Sequence, residues 1–353
     1  MNDSTARADR LTLTIRSPQD AVSAVPYLLG FHPAHSLVAV GCAGPDRDTC
    51  ALRLDLPRPG DPDLAQAVAD RVAEALTRNA YRDALLLGYG DAAHVTPVMD
   101  RTRRVLHARG VSVREALRVH DGRWWSYLCD DPACCSPDGT PYDISSSVVA
   151  AQAAYAGRVA HPDRDALARS VRRLPDADGR IRAATDRAER RLIGQMTAGR
   201  PLAKVRADLI AEAVSLTSRL TAAPAGAPPT DEETARLGVL LTDLRVRDEV
   251  WVRVNVEDPT GDIALWRHVV QRVETPYVPA PACLLAYAAY CRGDGGLANV
   301  ALDRALEADP GYSLALLFRQ VVHAAIPPGR ARLHMTPEQL AAAYADQEEP
   351  APP

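Results

Sequence analysis

Residues Ser36 to Leu56 read SLVAVGCAGPDRDTCALRLDL. The two ends, SLVAVGC (36–42) and CALRLDL (50–56), are short β-branched and aliphatic runs, and Gly-Pro-Asp between them is turn chemistry, so the stretch is expected to be a β-hairpin. Upstream, LTLTI (11–15) alternates apolar and polar residues as a half-buried strand does. Ser17-Pro18-Gln19-Asp20 then supplies an N-cap, a proline at the first helical position and an acidic third residue, which predicts a helix to about Leu29, ended by Gly30. Downstream, Asp61 to Arg78 carries Leu64, Val68, Val72, Ala75 and Leu76 on one helical face, with Asn79 as the residue after its end. DALLLGY (83–89) is continuously apolar, as strands covered on both faces are. A further helix is expected over Ala92 to Arg109, followed by strands VSVREALRVH and RWWSYLC around Asp121-Gly122, a strong hairpin signal.

This order predicts an α/β domain with a mixed sheet over residues 1–157. After Ile144 the periodicity is helical only, so an all-α domain is expected over 158–345, with a flexible Pro/Ala-rich connection at 221–231 and a disordered tail at 346–353. One long helix is read over Asp231 to Val246, and another pair over Pro281 to Arg292 and Leu297 to Ala308. The pair has the features of a tetratricopeptide-type hairpin: small Ala286, Ala288 and Ala289, a Gly293 to Gly296 turn, then ALDRALEADPGY. Arg292, Asp294, Asn299 and Arg304 are its candidate partner-binding residues.

Composition excludes several classes. The chain has 353 residues, is 47% hydrophobic and 24% charged, and carries a net charge of −4. Its longest apolar runs fall far short of the ~20 residues that span a bilayer, and its N-terminus has no apolar leader segment, so a cytoplasmic protein with no membrane partner is expected. Seven cysteines, an odd number, argue for reduced thiols or a metal rather than a disulfide framework. Lys204 is the only lysine among 41 basic residues, a bias of coding rather than a mark of phosphate binding.

Four features carry candidate chemistry. Cys129, Cys134 and Cys135 in CDDPACC can share a zinc ion, with His120 across the hairpin or an adjacent aspartate as fourth ligand; buried structural thiols are the simpler alternative. His32, His35 and Ser36 in GFHPAHS, with Asp55 at the end of LRLDLP, are candidate catalytic residues, against a plain loop in which they cap backbone and fill core. GYGDAAH (88–94) is a weak phosphate-loop pattern. Residues 164–206 hold twelve basic against five acidic residues, which suits an acidic partner or nucleic acid, or simply a solvated face.

VPYLLGFHPAHSLVAVG (25–41), LRLDLP (52–57), GRWWSYLCDDPACC (122–135) and LAYAAYCRGDGGLANVALDRALEADPGYSLALL (285–317) together closely resemble the DUF4192 family of high-GC Gram-positive bacteria. The resemblance touches both halves and implies no activity, since that family is a domain of unknown function; Ser136 stands where the family often has proline after the cysteine pair. Two functions are therefore expected as alternatives: a binding or adaptor protein acting on another cytoplasmic protein through the helical domain, or an enzyme or small-ligand sensor with its site at the strand ends.

Overall fold

The computed structural model describes residues 15–44, 49–224, 227–332 and 335–348. Its first helix, α1 (Pro18–Leu29), begins where the capping signal places it: Ser17 Oγ accepts from the Asp20 N–H, the Asp20 carboxylate accepts from the Ser17 N–H, and Gly30 ends the helix at φ 79°. β1 (Ser36–Cys42) and β2 (Cys50–Asp55) pair antiparallel as expected. Most of their turn, and the expected strand at 11–15 except Ile15, lie outside the described residues. α2 (Pro62–Arg78) is N-capped by Asp61, whose carboxylate accepts from the Leu64 N–H. At its other end Asn79 takes φ −96°, and Ala80 is the left-handed residue with φ 58°. β3 (Asp83–Tyr89), α3 (Ala92–Ala108), β4 (Ser112–His120) and β5 (Arg123–Ser126) follow, and Asp121 and Gly122 both have positive φ, as a type I′ turn requires. A two-residue β6 (Thr140–Pro141) closes the sheet.

The six strands lie in the order β2-β1-β3-β4-β5-β6, with β3 and β4 the parallel pair and the other neighbours antiparallel. One face carries Leu37, Ala39, Ala84, Leu86 and Ala116 against Val72, Leu76, Val95, Met99 and Leu106 of α2 and α3. On the other, α1 packs on the sheet and on α4 (Val148–Tyr155). Coverage on both faces explains why β1 and β3 are apolar without alternation. Gly88 lets α3 approach: a Cβ there would lie 2.2 Å from Val95 Cγ1, a stiff β-branched neighbour. Gly88→Ala is expected to cost about 1–3 kcal/mol by overpacking, read as a lower urea midpoint with an unchanged slope.

Beyond α4 the described chain is helical, confirming the change of pattern at Ile144. The elements are α5 (Arg164–Arg169), α6 (Arg180–Thr197), α7 (Leu202–Thr221), α8 (Asp231–Leu240), α9 (Leu244–Trp251), α10 (Thr260–Val270), α11 (Pro279–Cys291), α12 (Gly295–Ala308), α13 (Ser313–His323), α14 (Pro328–Ala331) and α15 (Pro337–Glu348). The single helix expected over 231–246 is two, because the Asp243 carboxylate accepts from the Arg245 and Val246 N–H groups and starts α9 afresh. Of the connection at 221–231, residues 225–226 lie outside the described set and 227–230 are non-helical; the tail expected at 346–353 is helical to Glu348, and the rest lies outside it.

The chain divides into two compact units: residues up to Leu167 with Asp294–Gly296 and Val321–Arg330, and Ala168–Gly293 with Leu297–Gln320 and the chain from Ala331. In the second unit Trp266, Leu237, Leu240, Leu241 and Leu284 are fully buried, and every residue of α11 is buried. His268 of α10 accepts from Arg272 Nε at 2.9 Å, and burial together with that cation pushes its pKa down to about 4. The unfolded chain therefore binds a proton that the folded one refuses between pH 6.5 and about 4. Stability from this group is complete above pH 6.5 and lost as pH falls through that window, so the melting temperature of His268→Gln should fall less on acidification from pH 7 to 5 than that of the wild type.

Candidate metal centre

The residues from Tyr127 to Gly139 leave β5 and fold back over it. Asp131 organises the loop: its carbonyl accepts from the Cys134 and Cys135 N–H groups and its carboxylate from the Ala133 N–H. This tight turn brings the Sγ atoms of Cys129, Cys134 and Cys135 within 4.8 Å of one another. Thiolates around one zinc at ~2.3 Å stand about 3.8 Å apart, so the three fit a single ion with small adjustments. Hydrogen bonding from the Asp131 backbone and from the other thiols lowers the pKa of Cys129, whereas burial and the Cys129 and Cys134 thiols push Cys135 up to about 12.

Cys129 and Cys135 line a cleft of about 210 Å³ together with Trp124, Trp125, Ser126, Asp130, Pro137 and Thr140 among others. Its floor is fixed from both sides. Trp125 donates from Nε1 to the Pro137 carbonyl at 3.0 Å, the Arg118 guanidinium lies 3.5 Å from the centre of its ring, and Gly139 approaches so closely that a Cβ would be 2.4 Å from it. Arg118 and Trp125 are cross-strand partners, so the stack follows from the hairpin register. Sequence reading missed Arg118; its signal was its position, opposite Trp125 across the Asp121-Gly122 turn. Of the expected fourth ligands, His120 is not with the thiols: it pairs with Arg123 across the turn, its Nε2 lies 3.4 Å from Asp121 Oδ2, and among the described residues the group that could hold an ion is the three cysteines alone. Asp130 lines the same cleft and is the nearest oxygen donor in sequence.

The other candidate constellation does not assemble. Ser36, Asp55, Tyr89, Val119, Trp124 and Thr140 form one register row across the sheet, so Ser36 and Asp55 are neighbours. Ser36 Oγ is nevertheless buried and makes no hydrogen bond among the described residues, as is the case for Tyr89 Oη and Trp124 Nε1 in the same row. Asp55 is exposed and accepts from Arg53 Nη2 at 2.6 Å. His32 and His35 serve through their backbones: the His32 N–H donates to the His161 carbonyl and the His35 carbonyl accepts from the Leu56 N–H. Burial lowers the His32 pKa, and His35 takes φ 44°. Among the described residues no histidine bonds to the hydroxyl, so the nucleophile and base of this reading are not joined.

GYGDAAH is likewise closed to phosphate. Asp91 caps α3 with its own carboxylate, accepting from the His94 N–H at 3.0 Å and lying 2.8 Å from His94 Nδ1, which fills the helix terminus with negative charge. Of the proposed partner contacts, Arg292, Asp294 and Asn299 are half-buried, and the Arg304 side chain is 13% exposed with Glu307 Oε2 4.0 Å away. A wider depression of about 780 Å³, unforeseen in the sequence, is lined by Arg103, Arg104, His107 and Val113 where α3 meets the start of β4.

A family model described as a domain of unknown function (DUF4192) matches residues 18–329. No curated protein and no solved structure matches the chain.

Proposed function

The chain belongs to the DUF4192 family, a domain of unknown function, and from that footing we propose that it is a metal-dependent small-ligand sensor or enzyme, holding a zinc-class ion through Cys129, Cys134 and Cys135. The carrying observation is the convergence of the three Sγ atoms within 4.8 Å of one another, with Cys129 and Cys135 lining a cleft. Three thiolates leave one tetrahedral position, which Asp130 or a ligand in the cleft fills; the second case is the arrangement of zinc sites that act on substrates. Soft sulfur donors favour zinc over magnesium or calcium. Trp125 offers an apolar floor and Ser126, Ser136 and Thr140 offer hydroxyls, so the fitting ligand is small, with a polar group for the metal and an apolar body. The reading also places the protein in the reducing cytoplasm, where adjacent thiols stay reduced. No described helix is long and apolar enough to cross a membrane.

Elemental analysis of the full chain, purified without chelator and with its thiols verified as reduced, is expected to return one zinc per chain. Cobalt exchanged into the site should give the intense near-ultraviolet absorption of thiolate coordination. A reduced chain that binds neither metal would end this reading.

Protein binding through a tetratricopeptide-like pair α11–α12 is the second reading. Small Ala286, Ala288 and Ala289 and the left-handed Gly293 (φ 77°) support it. The complete burial of α11 weighs against a groove there, although the neighbouring α13 exposes Leu317 to 59%.

A further inference from the structure

The basic segment noted in the sequence has a second property that only the structure reveals. From Arg190 to Arg206, across the end of α6 and the start of α7, the chain carries five basic residues, no acidic residue and no aromatic one. The same stretch holds Ile193, Met196 and Leu202 at 61%, 49% and 52% exposure, three of the most exposed large aliphatic side chains of the second unit. Ile193 and Met196 are three residues apart on α6 and share a face, and Leu202 opens α7 five residues after α6 ends. Leu202 lies on the same side of α7 as buried Leu209 and Ala213, and Met196 on the same side of α6 as buried Thr185, yet at these helix ends both are about half exposed. The three aliphatics at the tip are thus left in water.

The charges around them differ in how they are held. Arg191 and Arg200 are paired with α7 carboxylates, Glu212 at 3.2 Å and Asp208 at 2.6 Å, and Arg206 with Asp243 at the start of α9 at 3.2 Å. Arg190 and Lys204 are exposed and form no ion pair among the described residues.

We propose that the α6–α7 turn is a docking tip for an anionic lipid surface, with Ile193, Met196 and Leu202 entering the headgroup layer and Arg190 and Lys204 meeting lipid phosphates. Charge complementarity selects the occupant. A bilayer rich in anionic lipid satisfies the aliphatics and the cations together. A nucleic acid would neutralise the cations and leave the aliphatics in water, with no aromatic for a base to stack on. The expectation of no membrane partner rested on the lack of a spanning helix, and surface docking needs none.

The test is sedimentation of the full chain with vesicles of phosphatidylcholine and phosphatidylglycerol, against pure phosphatidylcholine vesicles, at low and high salt. Binding is expected only to the anionic vesicles, weakened by salt. Arg190→Gln with Lys204→Gln should weaken it about tenfold or more, and Ile193→Ser with Leu202→Ser should do the same, with the melting temperature of both variants unchanged because these side chains are exposed. A chain that ignores anionic vesicles overturns the proposal. So does vesicle binding untouched by either double variant, or binding that depends on the cations alone and is displaced by RNA, which would make the segment a nucleic-acid surface.

Discussion

Serine in place of Cys129, Cys134 or Cys135 is expected to lower zinc affinity by about 100-fold or more in each case, because the loss of one thiolate leaves two soft donors and breaks the tetrahedral set. The three replacements should be nearly equivalent, which distinguishes a shared ion from a disulfide with a spectator thiol. Cys42→Ser is the control: that thiol lies at the end of β1, its pKa raised by burial and by Asp83, and it should leave the zinc content unchanged. A zinc ion held by the three thiols would tie the loop to Trp125 beneath it. Chelation of the wild type is therefore expected to quench or shift the fluorescence of Trp125, whose ring and Nε1 are held by Gly139 and Pro137. Zinc content that survives all three serine variants would show that the metal sits elsewhere.

Glu249→Ala is expected to destabilise the second unit by about 3 kcal/mol. The Glu249 side chain is 6% exposed and accepts from Arg245 Nη2 at 2.6 Å and from Arg253 Nη1 at 2.5 Å. Its removal strands Arg245, itself 13% exposed, without a counter-charge. Arg245 is also the clamp on the last helix, donating from Nη1 to the Leu340 carbonyl and stacking 4.2 Å from the centre of the Tyr344 ring. The unfolding midpoint in urea should fall, and amide exchange over α15 should quicken before the rest of the unit. Exchange that quickens uniformly would mean that Arg245 does not hold α15. Glu249→Gln, which keeps the shape and one acceptor, should cost less.

Much of the fold was legible because its signals are local. Ser17 and Asp20 satisfy each other's N–H groups whatever lies beyond, Asp121-Gly122 accepts positive φ in any context, and DALLLGY is apolar enough to require cover on both faces. Where a local signal was weak the reading failed. The break at Leu241 to Asp243 depends on one carboxylate turning back to cap a new helix, and an aspartate within an apolar periodicity does not announce that choice. The turn at Gly293 to Gly296 shows the same limit: Gly293 has φ 77°, Gly295 faces open space, and a Cβ on Gly296 would fall 1.9 Å from the Leu29 carbonyl oxygen. Three glycines look alike in sequence and carry different constraints.

The candidate site divides along the same line. The spacing of Cys129, Cys134 and Cys135 on one short loop made the thiol cluster visible in advance, since five and one residues of chain confine the sulfurs to one neighbourhood. The sequence by itself also determined the layered α/β order, the helical second half and the family. Tertiary structure alone decided that the Ser36 hydroxyl is buried without a hydrogen bond to His32 or His35, that His120 stays outside the thiol group, that Arg118 stacks on Trp125, and that Ile193, Met196 and Leu202 face water. Caps, turns and burial patterns are fixed by neighbours within a few residues, whereas distances between side chains on different strands and the outward face of a helix depend on register and packing, which no single segment encodes.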